Sequence, residues 1–347
     1  MTQRHIKAAY AKLDPAHVFD GLFVPTKGKP RGRLLVKPRM FGGIEIGFQG
    51  FEQLGCDDQN ILLAVTAQLG INGLVIDGTT AGPVAQELRA GLEIKKDNGA
   101  AVATKRTSLR SLLLDAGYAN DSGDLLRNAR ESLNRLRATQ IRQINRKTGW
   151  DQVCNLVSVA FNVESGEIHV AANPRITGAV FHGQHVKISL FERNELESEV
   201  AKLLHCWLCS SVRPGRALGA GNGVKIDTLA PHIWGQEGWE GASAKVKSTR
   251  RGRLREALDE IRDKTRSLHD GYGWEIEQTQ ELALVSRPKN IPVVERMTGC
   301  KTPSELHDFI EADNERLMQE LMQDEWQQEC EEMEKRMLQA INEGRGS

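Results

Sequence analysis

No stretch of the chain approaches the roughly 18 consecutive apolar residues that a membrane-spanning helix needs, so helical membrane spans are not expected. The opening residues, MTQRHIKAAYAKLD, lack the apolar centre of a secretory signal, which points to a cytoplasmic protein with no membrane partner. Cysteine is sparse: Cys56, Cys154, Cys206, Cys209, Cys300 and Cys330 are scattered through 347 residues. That dispersal suits reduced thiols better than a disulfide framework. The three tyrosines, Tyr10, Tyr118 and Tyr272, have no His-x-His nearby, which argues against a strand-nicking tyrosine enzyme. No Ser-His-Asp, Cys-His or paired-carboxylate arrangement occurs at catalytic spacing. The chain is therefore expected not to be an enzyme and to need no cofactor or metal.

Three motifs that signal chemistry elsewhere have simpler readings here. Cys206 and Cys209 form a C-x-x-C, but no second Cys or His pair at ligand spacing accompanies it and it falls in mid-helix, so buried core cysteines are expected. The run GAGNG at 219–223 lacks the Lys-Ser/Thr of a phosphate loop. Asp57 and Asp58 stand where a helix begins, where capping and the helix dipole account for them.

Net charge is zero, yet it is unevenly placed. From Pro288 onward 7 Lys and Arg stand against 14 Asp and Glu, whereas the residues before it carry 39 against 32. The cationic excess is densest at 243–268, SAKVKSTRRGRLREALDEIRDKTRSL. At about 100° per residue, Leu254, Ala257, Leu258, Ile261 and the stem of Thr265 share one apolar stripe. The opposite side offers Lys245, Ser248, Thr249 and Gly252, flanked by Arg253 and Arg255, with Lys247, Arg250 and Arg251 in the same half. Such donors suit phosphates and base edges, and the glycine permits close approach. A solvated basic face is the plainer alternative.

Context favours nucleic acid. Upstream, 226–234 reads as a short helix followed by a Gly-rich turn, and downstream 274–286 alternates with a polar break, as a two-stranded ribbon does. Helix, turn, basic helix and ribbon are the order of a winged helix-turn-helix. The same order recurs earlier. A short helix at 109–116, capped by Thr107 or Ser108, precedes a helix at 121–137 whose Leu125, Ala129, Leu133 and Leu136 face inward while Arg127, Arg130, Asn134 and Arg137 face out. Strands expected at 139–147, 152–162 and 167–172 would supply a wing. Before these, residues 1–41 read as a weakly structured basic leader, 44–48 as a strand, 58–69 as a helix and 91–106 as a loop or ribbon. The fold class expected is α+β, with two tandem winged helix-turn-helix domains and a C-terminal acidic helical extension. Its divisions are a basic arm at 1–50, a first winged-helix domain at 51–180, a second, main DNA-reading domain at 181–288, and an acidic helical tail at 289–347.

Three segments carry a family resemblance: LGCDDQNILLAVTAQLGINGLV at 54–75, GQHVKISL with ESEVAKLLHCWLC at 183–209, and KIDTLAPHIW with STRRGRLREAL at 225–258. In order and spacing across roughly 50–288 they resemble the plasmid replication initiator protein C of the IncQ plasmids. That resemblance implies an iteron-binding initiator of a bacterial plasmid, which recognises direct repeats in double-stranded origin DNA. It further implies opening of the adjacent AT-rich duplex and admission of the plasmid helicase and primase; a homodimer is a further expectation. The basic segment from Lys245 to Arg255 matches the family's recognition segment, and that from Arg127 to Arg137 matches in architecture. The tail after Pro288 and the long loop at 215–223 depart from the family pattern. Two rivals remain open: a winged-helix repressor at an operator, including its own promoter, and a partition or scaffold protein acting through the acidic tail.

Overall fold

The computed structural model describes residues 9–28, 30–80, 82–94, 100–162, 166–181, 183–269 and 273–289. The chain divides into compact units Met1–Ile291 and Pro292–Ser347, and the second, where the acidic helix is expected, lies outside the described residues. Among the described residues the fold is a mixture of about ten helices and four small antiparallel sheets.

Strand β1 (Tyr10–Leu13) opens the fold. Strands β2 (Leu34–Phe41) and β3 (Ile44–Gly50) form a hairpin, turned by Gly42 and Gly43 at positive φ. The expected weakly structured leader is thus partly strand. On β2 Lys37 and Arg39 are exposed while Leu34 and Val36 are buried, and Leu35, apolar yet exposed, hides that alternation in the sequence. Helix α1 (Cys56–Asn72) follows, then β4 (Leu74–Ile76), α2 (Pro83–Gly91) and β5 (Val102–Ser108). Helices α3 (Leu109–Asp115) and α4 (Gly123–Arg137) start at Ser108 and Ser122, whose side chains accept the N–H of Ser111 and of Leu125.

Strands β6 (Gln140–Asn145), β7 (Trp150–Asn155), β8 (Val157–Phe161) and β9 (Glu167–Ala172) come next. The single strand expected at 152–162 is broken at buried Leu156, whose N–H bonds the Thr139 carbonyl at 2.9 Å. In consequence β7 stays in the sheet β2-β3-β6-β7, whereas β8 joins β4-β5-β9-β8. Only β6 and β7 therefore form the hairpin next to α4.

The chain continues through α5 (Pro174–Phe181), β10 (Val186–Ser189), α6 (Leu190–Glu195) and α7 (Glu199–Ser211). β10 pairs with β1, tying the N-terminal segment to the second half of the chain. Strand β11 (Val224–Lys225) leads into α8 (Ile226–Trp234), α9 (Gln236–Glu240), α10 (Ala244–Leu268), β12 (Glu275–Gln278) and β13 (Leu282–Ser286). The three strands lie in the order β11-β13-β12. At the α8–α9 corner Gly235 sits at φ 74, and a Cβ there would lie 3.2 Å from the Gly21 Cα, so both the backbone conformation and the space call for glycine.

One buried apolar cluster runs from Ala11 to Val285, and α1 is central to it, buried almost continuously from Asp58 to Leu69. Its polar residues have partners: Gln68 donates to the Asp115 carboxylate at 2.7 Å, and Asn60 accepts from Arg193 at 3.1 Å. Asp58, fully buried, accepts the Gly55 N–H at 2.7 Å, Arg31 at 2.6 Å and Arg135 at 2.9 Å. It caps α1, as expected, and also anchors α4 through Arg135.

No helix of the described residues is long and apolar enough to cross a membrane. Cys56, Cys154, Cys206 and Cys209 are buried free thiols. Burial pushes the Cys56 thiol up to about 11 and Cys206 up to about 12, so both stay protonated.

Candidate nucleic-acid interface

Helix α10 begins at Ser243, whose hydroxyl accepts the Val246 N–H at 3.4 Å. Its buried residues are Leu254, Ala257, Leu258, Ile261 and Thr265, the stripe that the periodicity predicts. The first turns carry no core residue and rest on α8 and α9 through cations. Arg250 donates to the Gly238 carbonyl at 2.6 Å and stacks 5.2 Å from the Trp234 ring. Lys247 donates to the Glu240 carbonyl at 3.2 Å and lies over Trp239. Arg251 grips Asp227 of α8 with two bonds, 2.6 and 2.8 Å, and these hold the Asp227 carboxyl below the usual carboxylate range. Arg255 donates to the Gln280 carbonyl in the β12–β13 turn at 3.1 Å.

The nine positions expected on this helix thus fall into two groups. Lys247, Arg250, Arg251 and Arg255 are half-buried and hold the helix to its neighbours. Lys245, Ser248, Thr249 and Arg253 are exposed, with Gly252 between them. The Thr249 hydroxyl bonds back to the Lys245 carbonyl at 3.1 Å, while Lys245 and Arg253 form no ion pair among the described residues. A Cβ on Gly252 would meet nothing within 4 Å, so no packing within the described residues requires glycine there.

Helix α4 shows the same division. Ala129, Ser132, Leu133 and Leu136 are buried, while Arg127, Arg130, Asn134 and Arg137 are all exposed. Arg127 pairs with Asp124 one turn earlier at 2.7 Å, and Arg130 lies 4.6 Å over the Phe161 ring. Packing of α1, α3 and α4 together fixes the orientation of this exposed face.

The two hairpins differ in kind. The β6–β7 turn carries Arg146 and Lys147, and Trp150 beside it is 64% exposed. Arg146 pairs with Glu45 and Arg142 with Asp151, each bidentate, which leaves Lys147, among the described residues, as the unpaired cation of that tip. By contrast, β12–β13 exposes Glu275, Glu277 and Glu281 and contains no Lys or Arg. Its contact with α10 runs through Arg255 and through Gln278, which donates to the Arg255 carbonyl at 3.0 Å. Asp227, Arg135 and Trp150 are not marked by the sequence pattern, because cross-helix partners leave no local signal.

Beneath α10, Glu192 of α6 is fully buried. It accepts from His205 at 2.8 Å, His269 at 3.1 Å and Trp274 at 3.2 Å. Burial alone would raise this carboxyl, but the three partners outweigh it and hold it well below the usual range.

The family model described as Replication protein C (RepC) matches residues 5–280. No curated protein matches the chain. A crystal structure of selenomethionine derivatives of domains 2 and 3 of RctB is similar at 11% identity, covering 80% of this chain and 99% of that one, with TM-score 0.45. A second structure, of RctB domains 2-3, gives 10% identity, 76% and 93% coverage and TM-score 0.40. The family match, rather than these loose likenesses, bears on function.

Proposed function

Since the chain belongs to the replication protein C (RepC) family, a family of replication initiators, we propose that it reads double-stranded origin DNA with α10 and α4. The protein acts by binding rather than by catalysis. It engages direct repeats of a plasmid origin, distorts the adjoining AT-rich duplex and admits the replicative helicase. In this reading both helical units are winged helix-turn-helix modules, and the exposed N-terminal half of α10 lies in a major groove.

The observation that supports this most is the division of labour on α10. Its apolar stripe and half-buried arginines fix the helix, so Lys245, Ser248, Thr249 and Arg253 are left presented together, with no partner side chain among the described residues. The connectivity adds support: α7, β11, α8, the short α9, α10, β12 and β13 follow one another with strand order β11-β13-β12, close to the helix, strand, helix, reading helix and ribbon of a winged module. Around α4, the β6–β7 hairpin brings Lys147 and Trp150 for backbone and groove contact. The acidic β12–β13 hairpin is a brace for α10 rather than a phosphate contact, because phosphate repels its carboxylates.

Footprinting on the plasmid's own origin at stated salt tests the reading. Protection of tandem direct repeats, one protein on each, is the expected result. A single protected inverted repeat over a promoter would instead make the protein a repressor.

A further inference from the structure

Cys206 and Cys209 suggest a pair by their spacing, but the fold separates their roles. Cys209 instead shares a helix face with His205, four residues earlier on α7. Cys209 Sγ lies 3.7 Å from His205 Nε2, which lies 2.8 Å from Glu192 Oε2 on α6. The three ligand atoms fall within 4.8 Å of one another, and all three residues are buried.

We propose that Glu192, His205 and Cys209 form a site for one divalent zinc-like cation, clamping α6 to α7 beneath α10. A thiolate, an imidazole and a carboxylate are donors that zinc accepts, three protein ligands that leave the fourth tetrahedral position to a water. Zinc bond lengths of about 2.3 Å to sulfur and about 2.0 Å to nitrogen put those two ligands about 3.6 Å apart, close to the 3.7 Å observed. The nitrogen-to-oxygen separation would have to open by about half an ångström, to about 3.3 Å, which a small rotation of the Glu192 carboxylate supplies. His269 donates to the other oxygen of Glu192 at 3.1 Å and Trp274 to the same carboxylate at 3.2 Å. Such outer bonds orient a ligating carboxylate. Binding releases to solvent both the Cys209 thiol proton and the proton that His205 Nε2 donates to Glu192, the ring keeping its proton on Nδ1, and thiolate plus carboxylate then balance the two charges of the metal. His269 and Trp274 flank the C-terminal end of α10, so the site would fix the base of that helix. The inference does not depend on the DNA-binding reading.

The test uses the full chain, incubated with one equivalent of zinc chloride and desalted, with metal content measured by plasma mass spectrometry. One zinc per chain is expected, with Cys209→Ser and His205→Gln losing it and Cys206→Ala keeping it. Cobalt(II) loaded in place of zinc should show a thiolate charge-transfer band in the wild type, a readout that needs no variant to fold. A wild-type chain without zinc, a missing cobalt band, or zinc retained in Cys209→Ser would overturn the proposal. The Glu192 network would then stand as a metal-free ion cluster.

Discussion

If α10 reads DNA, Lys245 and Arg253 separate binding from folding, because neither is buried or takes part in an ion pair among the described residues. Replacing each in turn with alanine should weaken specific binding by about 1 to 3 kcal/mol, while the thermal midpoint stays where it is. Arg251→Ala makes the contrast: it breaks the bidentate bond to Asp227, so it should loosen α10 as well as weaken binding. Titration of the three variants by anisotropy, beside their melting curves, decides; equal stability losses in all three would remove Lys245 and Arg253 from the interface. Gly252 gives a prediction of opposite signs. Glycine inside a helix costs up to about 1 kcal/mol relative to alanine, and a methyl group here meets nothing. Gly252→Ala should therefore raise the thermal midpoint and yet reduce affinity, if the backbone approaches DNA at that point. A variant both more stable and equally tight would show that the glycine is not at the interface.

Elements were legible in the sequence where local chemistry defines them. The apolar stripe of α10, the cap of α3 at Thr107 or Ser108, and the polar break between β12 and β13 all lie within a few residues of what they specify. Helix α2 was not legible, since Gly82 offers no side-chain cap, and neither was the pairing of β1 with β10, because alternation sets a strand's faces but not its partner. On the interface, the outward positions of α4 and α10 could be read from periodicity, but not which cations were already committed to Asp227, Gly238 or Gln280.

Long-range ties of this kind set the stability of the elements. Asp58 is fully buried between Arg31 and Arg135, so Asp58→Ala strands two cations and should cost about 3 to 5 kcal/mol in denaturant unfolding; a loss below about 1 kcal/mol would mean the cations find water. Asp20 joins β2 to α8, bonding Arg39 at 2.8 Å and His232 at 2.5 Å. Burial raises its carboxyl, but the two partners more than reverse this, leaving it below its ordinary 3.8. A depressed folded-state value means the stabilisation is complete above 3.8 and is lost as pH falls through the lower folded value. The gap in melting temperature between wild type and Asp20→Asn should accordingly close as pH falls through that range. A gap that persists to about pH 2 would show that the bond is not a charged one.

Among the described residues, the main apolar cluster runs through α1, which packs against α3 and α4 and also meets α7. The two helical units consequently share a core instead of being joined by a flexible linker, and the separation between α4 and α10 is a property of the fold. Shared packing of this kind should make the protein sensitive to helical phase on DNA. If α4 and α10 read successive major grooves, their half-sites lie about 10 base pairs apart. Inserting about 5 base pairs between them places the second half-site on the opposite face of the duplex, and a rigid pair of units cannot follow it without twisting DNA. Specific affinity should then fall to that of a single half-site, and inserting about 10 base pairs should not restore it, because phase returns but distance does not. Equal binding to all three spacings, measured at one salt concentration, would mean that only one of the two helices reads DNA.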